Sequence, residues 1–486
     1  MMNHPASHSR RHFLAGSAFS LSTVALDWLL RHDQALAAPV TARPETEPVV
    51  YNLKPKTPEK PATAKAMISL WMQGGPSHHD LFDPKPLLDR FDGKPFPGEI
   101  KYDNAAQASS KVLASPWKFA PRGECGMELS DLLPYTSQIA DDICLVRSMH
   151  TGVNNHGQSI QALQNGRALP GRPCLGSWLT YGLGCEADNL PAFLALTDPG
   201  PLPVLGVANW QCGFLPSLFQ GTVIRPQEPR ILDLTPSPLL AGAPQKNSLG
   251  FLEELNRRHL ASRPRQLDLE ARIASYELAA KMQIAASEAL DLTKETKSTQ
   301  EMYGMHSPNP ATREYAARCL LARRLIERGV RFIQIYTPDQ MWDSHGSIIT
   351  RLPAACAKVD QPSAALVQDL KARGLLDSTV VHWGGEMGRL PVIQNDAGRD
   401  KVGRDHNTYG FSMWVAGGGF KAGHIHGATD EWGHHAIEGV VNHYDYHATL
   451  MHLFGLDVDQ LTYHYARRDQ SLTDGQAGKI VQEILA

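Results

Sequence analysis

The stretch Ala66-Met67-Ile68-Ser69-Leu70-Trp71-Met72 is an apolar run that ends just before the pair Gly74-Gly75. A short apolar run closed by glycines is typical of a buried strand that delivers a loop. The same pattern predicts further strands at Ile143–Met149, Ala192–Thr197, Val330–Tyr336, Ser378–Trp383 and Phe411–Ala416. Because helical patterns separate these strands, the sequence predicts an α/β fold, a three-layer sandwich with a mostly parallel central sheet.

The helical patterns between these strands have 3.6-residue periodicity. We predict helices over His156–Gln164, Leu175–Tyr181, Arg313–Arg328, Leu352–Ala372 and Tyr446–Phe454. From Leu249 to Glu295 the sequence is charged and poor in glycine, with an apolar stripe at helical spacing. This region predicts a helical insertion, about residues 247–328, that packs on the main sheet.

The amino terminus has the pattern of an export signal. Ser9-Arg10-Arg11-His12-Phe13-Leu14 is a twin-arginine box, followed by an apolar run and by small residues up to Ala38. We therefore expect a signal peptide over residues 1–38, read by the twin-arginine translocase, and a periplasmic or secreted protein. A Pro-rich linker over 39–65, a domain over 66–470 and a tail over 471–486 complete the predicted organisation.

Composition excludes several classes of function. The net charge is -3 without a basic block, so nucleic acid is not an expected partner. Seven cysteines occur without CxxC spacing, which argues against a thiolate zinc site. Beyond the leader, no segment is long and apolar enough to span a bilayer, so we expect no membrane span in the mature form.

Polar loops follow the predicted strands, and ligands of open α/β sheets bind where such loops meet. Carboxylates and imidazoles are mixed there without thiolates, which favours a divalent cation such as zinc, manganese, calcium or magnesium. The candidate ligands, one or two metals being expected, are His78, Asp80, Asp343, His345, Glu386 and His406. We expect the ends of the last four to surround one point, with neighbouring ligand atoms ~3–4 Å apart.

Longer motifs carry a resemblance to a known family. Gly74-Gly75-Pro76-Ser77-His78-His79-Asp80, Trp342-Asp343-Ser344-His345-Gly346 and Gly403-Arg404-Asp405-His406 resemble, in this order, the family known as domain of unknown function 1501. The resemblance covers about residues 65–461 and implies an alkaline phosphatase-like fold. It also implies divalent metals and transfer of phosphoryl or sulfuryl groups, as in that superfamily.

The resemblance has two departures. Glu386 matches a metal-binding Asp of the superfamily, but Met387 stands at the position of the adjoining His. His156 stands where sulfatases carry a Cys or Ser nucleophile, and no Cys/Ser-x-Pro-x-Arg motif occurs in the chain. The resemblance therefore excludes a formylglycine sulfatase.

Two hypotheses about function follow. The first is an exported, metal-dependent hydrolase of phosphate or sulfate esters, acting on an anionic small molecule or polysaccharide. Its catalytic candidates are His156, Asn155 and Arg389. His156 could be a nucleophile, a general base or a metal ligand, and we favour the base because Asn155 could orient its ring. The second hypothesis is a degenerate fold that binds a ligand, polysaccharide or partner without turnover.

Overall fold

A nine-stranded sheet forms the centre of the protein. The structure is a computed structural model that describes residues 51–100, 109–232, 234, 242–263, 267–394 and 398–486. The strands are β1 Ala66–Trp71, β2 Ile143–His150, β3 Phe193–Leu196, β4 Thr222–Ile224, β5 Phe332–Tyr336, β6 Thr379–Gly384, β7 Phe411–Ala416, β8 His424–His426 and β9 Val441–Asn442. Their order is β8-β2-β7-β6-β1-β5-β3-β4, and β9 also pairs with β2.

The strand directions decide where the polar loops meet. β7 is antiparallel to both of its neighbours, β2 and β6, whereas the other pairs in the sheet are parallel. The carboxyl ends of the parallel strands and the amino end of β7 therefore lie at one edge. This arrangement confirms the predicted α/β class with a mostly parallel sheet.

Helices cover both faces of the sheet. The α-helices of the described residues are α1 His78–Leu81, α2 Pro86–Phe91, α3 His156–Asn165, α4 Leu175–Leu183, α5 Ala243–Ala261, α6 Leu267–Leu290, α7 Lys297–Tyr303, α8 Pro310–Ile326, α9 Ile348–Ala372 and α10 His443–Leu453. Since side chains alternate along a strand, β1 contributes to two cores. Ile68 and Leu70 lie in the core with α8 and α9, and Met67 and Trp71 lie in the core with α3, α4 and α10.

The six predicted strands are confirmed to within two residues at each end, and the predicted helices are present with shifted ends. The insertion differs from the prediction. In α6, Met282, Ala286 and Ala289 are buried in the core, but none of the described side chains of α5 is buried, and Leu252 and Leu255 are exposed. One helix of the insertion is sufficient to cover the core beneath it, so α5 lies outside.

Both ends of the described chain pack against the domain. The predicted signal peptide and the first part of the linker lie outside the described residues. The rest of the linker contacts the domain, because Lys56 N donates to Leu183 O and Thr63 N to Leu453 O. In the predicted tail, Ile484 is fully buried. Within the described ranges, no helix is long and apolar enough to cross a membrane.

Candidate metal centre

Four side chains converge at the loop edge of the sheet. One ligand atom from each of His156, Asp343, His345 and His406 lies within 4.8 Å of those of the others. Nε2 of His345, His406 and His156 lies 2.9, 3.4 and 3.5 Å, respectively, from Oδ1 of Asp343. The three rings point at one oxygen atom.

The four side chains reach this edge from loops at the ends of three strands. His156 is the first residue of α3, which follows β2, and Asp343 and His345 lie on the loop after β5. His406 precedes the antiparallel β7 and pairs with Arg389, which follows β6, in a two-stranded ribbon. The reversal of β7 is what allows a segment before a strand to join loops that come after strands.

Two motif glycines allow the close approach of these loops. A Cβ on Gly74, whose φ is +110°, would lie 2.5 Å from the backbone nitrogen of Asp343. A Cβ on Gly403 would lie 2.2 Å from the carbonyl carbon of His345. Any side chain at either position would push the Asp343–His345 loop out of place, because real Cβ contacts are not this short.

The orientation of the three imidazoles is the same. Each directs Nε2 to the centre, while its Nδ1 lies near an oxygen atom outside it. Nδ1 of His156 is 2.7 Å from Oε1 of Glu386, and Nδ1 of His406 is 3.4 Å from the Asn154 carbonyl. Nδ1 of His345 contacts Oε1 of Gln394. An oxygen acceptor at one ring nitrogen fixes the tautomer that leaves the other as a lone-pair donor, the usual arrangement of metal-binding histidines.

The buried guanidinium of Arg389 also contacts Asp343. Nη2 of Arg389 lies 2.6 Å from Oδ1 of Asp343, and Arg389 also donates to the Gly75 and Arg404 carbonyls. Burial would raise the pKa of Asp343, but the Arg389 charge and the three imidazoles lower it far below its ordinary value. The carboxylate is therefore ionised throughout the physiological range.

Glu386 lies behind His156 and outside the four-residue cluster. It is fully buried, and Oε1 accepts from Gly74 N at 2.9 Å as well as contacting His156. Burial lowers the pKa of His156, but Asp343 and Glu386 oppose this and raise the pKa to about 9, so a cation bound at Nε2 would displace a proton. For His406 the effect of burial prevails, and its pKa is lowered.

The donor set fits a divalent cation of the zinc or manganese type. Three imidazole nitrogens and one carboxylate oxygen are nitrogen and oxygen ligands in the number that a tetrahedral site requires. Nε2 of His156 is buried without a hydrogen-bond partner, as expected of an atom arranged for a ligand. His345, with 34% of its side chain exposed, forms the solvent side of the cluster.

Sequence comparison now identifies the family. The profile of the family described as "Protein of unknown function (DUF1501)" matches residues 64–485. The chain belongs to this family. A comparison with curated proteins gives no match.

Several solved structures resemble this DUF1501 protein. One is the PsFucS1 sulfatase from Pseudoalteromonas sp., at 13% identity and a TM-score of 0.33, covering 81% of this chain and 68% of that one. Another is the lipoteichoic acid synthase LtaP from Listeria monocytogenes, at 8% identity and a TM-score of 0.36, covering 87% of this chain and 76% of that one. A third is a mutant of the TAB5 alkaline phosphatase with Mg bound, at 10% identity and a TM-score of 0.31, covering 73% of this chain and 92% of that one. These values are too low to assign an activity.

The remaining predicted residues of this DUF1501 protein lie outside the four-residue cluster. Both carboxylate oxygens of Asp80 contact the Arg404 guanidinium, and Ser77 Oγ donates to one of them at 2.5 Å. Nε2 of His78 lies 2.8 Å from the Gly433 carbonyl. Asn155 is exposed and caps α3 by accepting from Gln158 N. In the described part of the chain, Asp80, His78 and Asn155 therefore form hydrogen bonds with other protein groups and do not contact the four-residue cluster.

Two glutamines lie near the centre, and Gln394 was not singled out from the sequence. Gln394 orients His345, and its only signal was its place between the Glu386 and His406 motifs. Gln73 is fully buried beside Gly74, and both of its amide atoms lack a hydrogen-bond partner.

Proposed function

We propose that this protein is an exported, metal-dependent hydrolase of phosphate or sulfate esters. The observation that carries the proposal is the common orientation of His156, His345 and His406, each with Nε2 toward Asp343 and Nδ1 on an oxygen acceptor. Three imidazoles held this way around a carboxylate are typical of a metal centre.

The four clustered residues would hold the cation, and a bound divalent cation would supply Lewis-acid polarisation of an ester oxygen. In this proposal His156 is a ligand rather than the general base, because its Nε2 points into the cluster and Glu386 holds its Nδ1. Arg389 is a positioning residue, because its guanidinium is fully buried on Asp343 and on backbone carbonyls.

A bound cation would attract an anionic substrate. Arg389 offsets the negative charge of Asp343, and Glu386 and Asp405 are the other buried carboxylates beside the imidazoles. A divalent cation beside neutral imidazoles would offset these two carboxylates and would present the positive charge that an anionic oxygen meets. A phosphate or sulfate ester, free or on a polysaccharide, would approach on the His345 side, because His345 is the most exposed of the four.

A second candidate function is ligand binding without turnover. The observation that favours it is the Arg389 contact, since a guanidinium 2.6 Å from Oδ1 of Asp343 already compensates the carboxylate. In that case Asp343 would need no cation, and the imidazoles would be its hydrogen-bond donors.

Metal content distinguishes the two candidates. The purified protein would be stripped with a chelator, loaded separately with zinc, manganese, calcium and magnesium, and its bound metal measured by mass spectrometry. We expect at least one tightly bound ion, lost in His406→Ala and in Asp343→Asn. The matched control is His464→Ala, because exposed His464 contacts Asp469 at 2.7 Å in a similar imidazole–carboxylate pair.

Activity is then measured on nitrophenyl phosphate, bis(nitrophenyl) phosphate and nitrophenyl sulfate. The proposal predicts hydrolysis of at least one ester that depends on the metal and disappears in His406→Ala. A protein that binds no metal would contradict the proposed centre. A loaded protein without activity on any of the three esters would contradict the hydrolase function and leave the metal centre standing.

A further inference from the structure

Helix α5 carries an apolar surface that the rest of the described chain leaves uncovered. None of its described side chains is buried, and Phe251, Leu252 and Leu255 are 64%, 51% and 43% exposed. On a helix, residues three and four apart are neighbours, so these three form one stripe. Three large apolar side chains together on a helix that is itself outermost indicate a contact surface.

Opposite charges border this stripe. Glu254 and Arg258 lie one turn apart, and Oε1 of Glu254 is 2.8 Å from Nε of Arg258. Both side chains are exposed enough to reach a partner, with 45% and 75% of their surface accessible. When two copies of this helix lie antiparallel, the acid on one copy faces the base on the other, so the charged side of the helix is complementary to itself.

We propose that α5 is the interface of a homodimer in which the α5 helices of two copies pack antiparallel. With the two-fold axis between Leu255 and Asn256, Leu255 packs close to its own equivalent, and Phe251 and Leu252 cover its sides. Glu254 of each copy then faces Arg258 of the other, as required in an isologous interface where each contact occurs twice. A second copy is thus an occupant for which this helix supplies both the apolar and the charged contacts.

The mass of the full chain in solution tests the dimer. Sedimentation equilibrium over a range of concentrations should show a dimer of the 53.4 kDa chain that dissociates on dilution. Leu255→Lys should remove the dimer, because it brings two like charges together at the two-fold axis. The matched control Val207→Lys changes another exposed apolar residue, on the segment after β3, and should leave the dimer intact.

Charge reversal tests the geometry itself. Glu254→Arg alone and Arg258→Glu alone each place like charges opposite one another twice, and should weaken the dimer at least ~10-fold. The double variant Glu254→Arg/Arg258→Glu restores opposite charges and should recover the wild-type dissociation constant. A monomer throughout, a dimer unaffected by Leu255→Lys, or a double variant as weak as the single ones would overturn the proposal.

Discussion

Replacing Glu386 by glutamine tests the metal centre through a residue that lies outside the four-residue cluster and contacts only one of its histidines. Oε1 of Glu386 lies 2.7 Å from Nδ1 of His156 and accepts from Gly74 N at 2.9 Å. Glutamine has nearly the same shape, and its amide oxygen can accept both hydrogens. The substitution therefore removes the negative charge behind the imidazole while it keeps the contacts that position the ring.

The expected loss can be estimated from this contact. A carboxylate behind a metal-binding histidine makes the imidazole a better electron donor, and losing such a partner costs 10–100-fold in metal affinity. At about 1.4 kcal/mol per factor of ten, this is ~1.4–2.8 kcal/mol of metal-binding free energy. Because Glu386 also raises the pKa of His156, its loss makes the proton a weaker competitor for Nε2, and we expect the lower half of that range.

The assay is a competition titration of the stripped protein against a chromophoric chelator. Asp469→Asn is the control, since Asp469 makes an equally short contact with His464 at an exposed site, and its affinity should equal that of the wild type. Unfolding by urea without metal verifies that the variant is folded. A folded Glu386→Gln protein with unchanged metal affinity would refute the role that we assign to Glu386.

Three further predictions concern other parts of the chain. Arg389→Lys should lower the unfolding free energy of the metal-free protein by ~1–3 kcal/mol, because lysine keeps the charge but cannot donate to Asp343 and to the Gly75 and Arg404 carbonyls at the same time; urea unfolding measures this, and an unchanged midpoint would contradict it. Burial lowers the pKa of several histidines, among them His382 and His443 to about 3 and His434 and His447 to about 4. Below pH ~6.5 the unfolded chain therefore binds protons that the folded protein does not bind. The free energy of unfolding should decrease as the pH is lowered, by up to ~1.4 kcal/mol per histidine per pH unit. His447→Gln should make the free energy of urea unfolding less dependent on pH. Changing Arg10 and Arg11 together to lysine should leave precursor in the cytoplasm, since lysine lacks the paired guanidinium groups; unimpaired export in a fractionation assay would argue against the twin-arginine route.

Much of the architecture follows from local patterns. The strand at Phe411–Ala416 has the predicted ends because an apolar run between polar loops specifies a buried strand by itself. Short strands such as His424–His426 are missed, since three residues carry no period and depend on pairing with β2. The surface position of α5 is also missed, because the same apolar stripe can face a core or a second chain.

For the candidate centre, the sequence by itself determined which loops carry the chemistry, because strand ends and glycine pairs mark the loops at one edge of the sheet. It placed Asp343, His345 and His406 among the candidate ligands and marked His156 as a departure from the related enzymes. Only the tertiary structure decided that Nε2 of His156 points to the centre and that Glu386 holds the ring from behind, 230 positions along the chain. It likewise decided that Arg389 belongs to Asp343 and Arg404 to Asp80. The physical reason is that a buried charge takes whichever partner folding brings within a few ångströms, and the order of residues does not encode that distance.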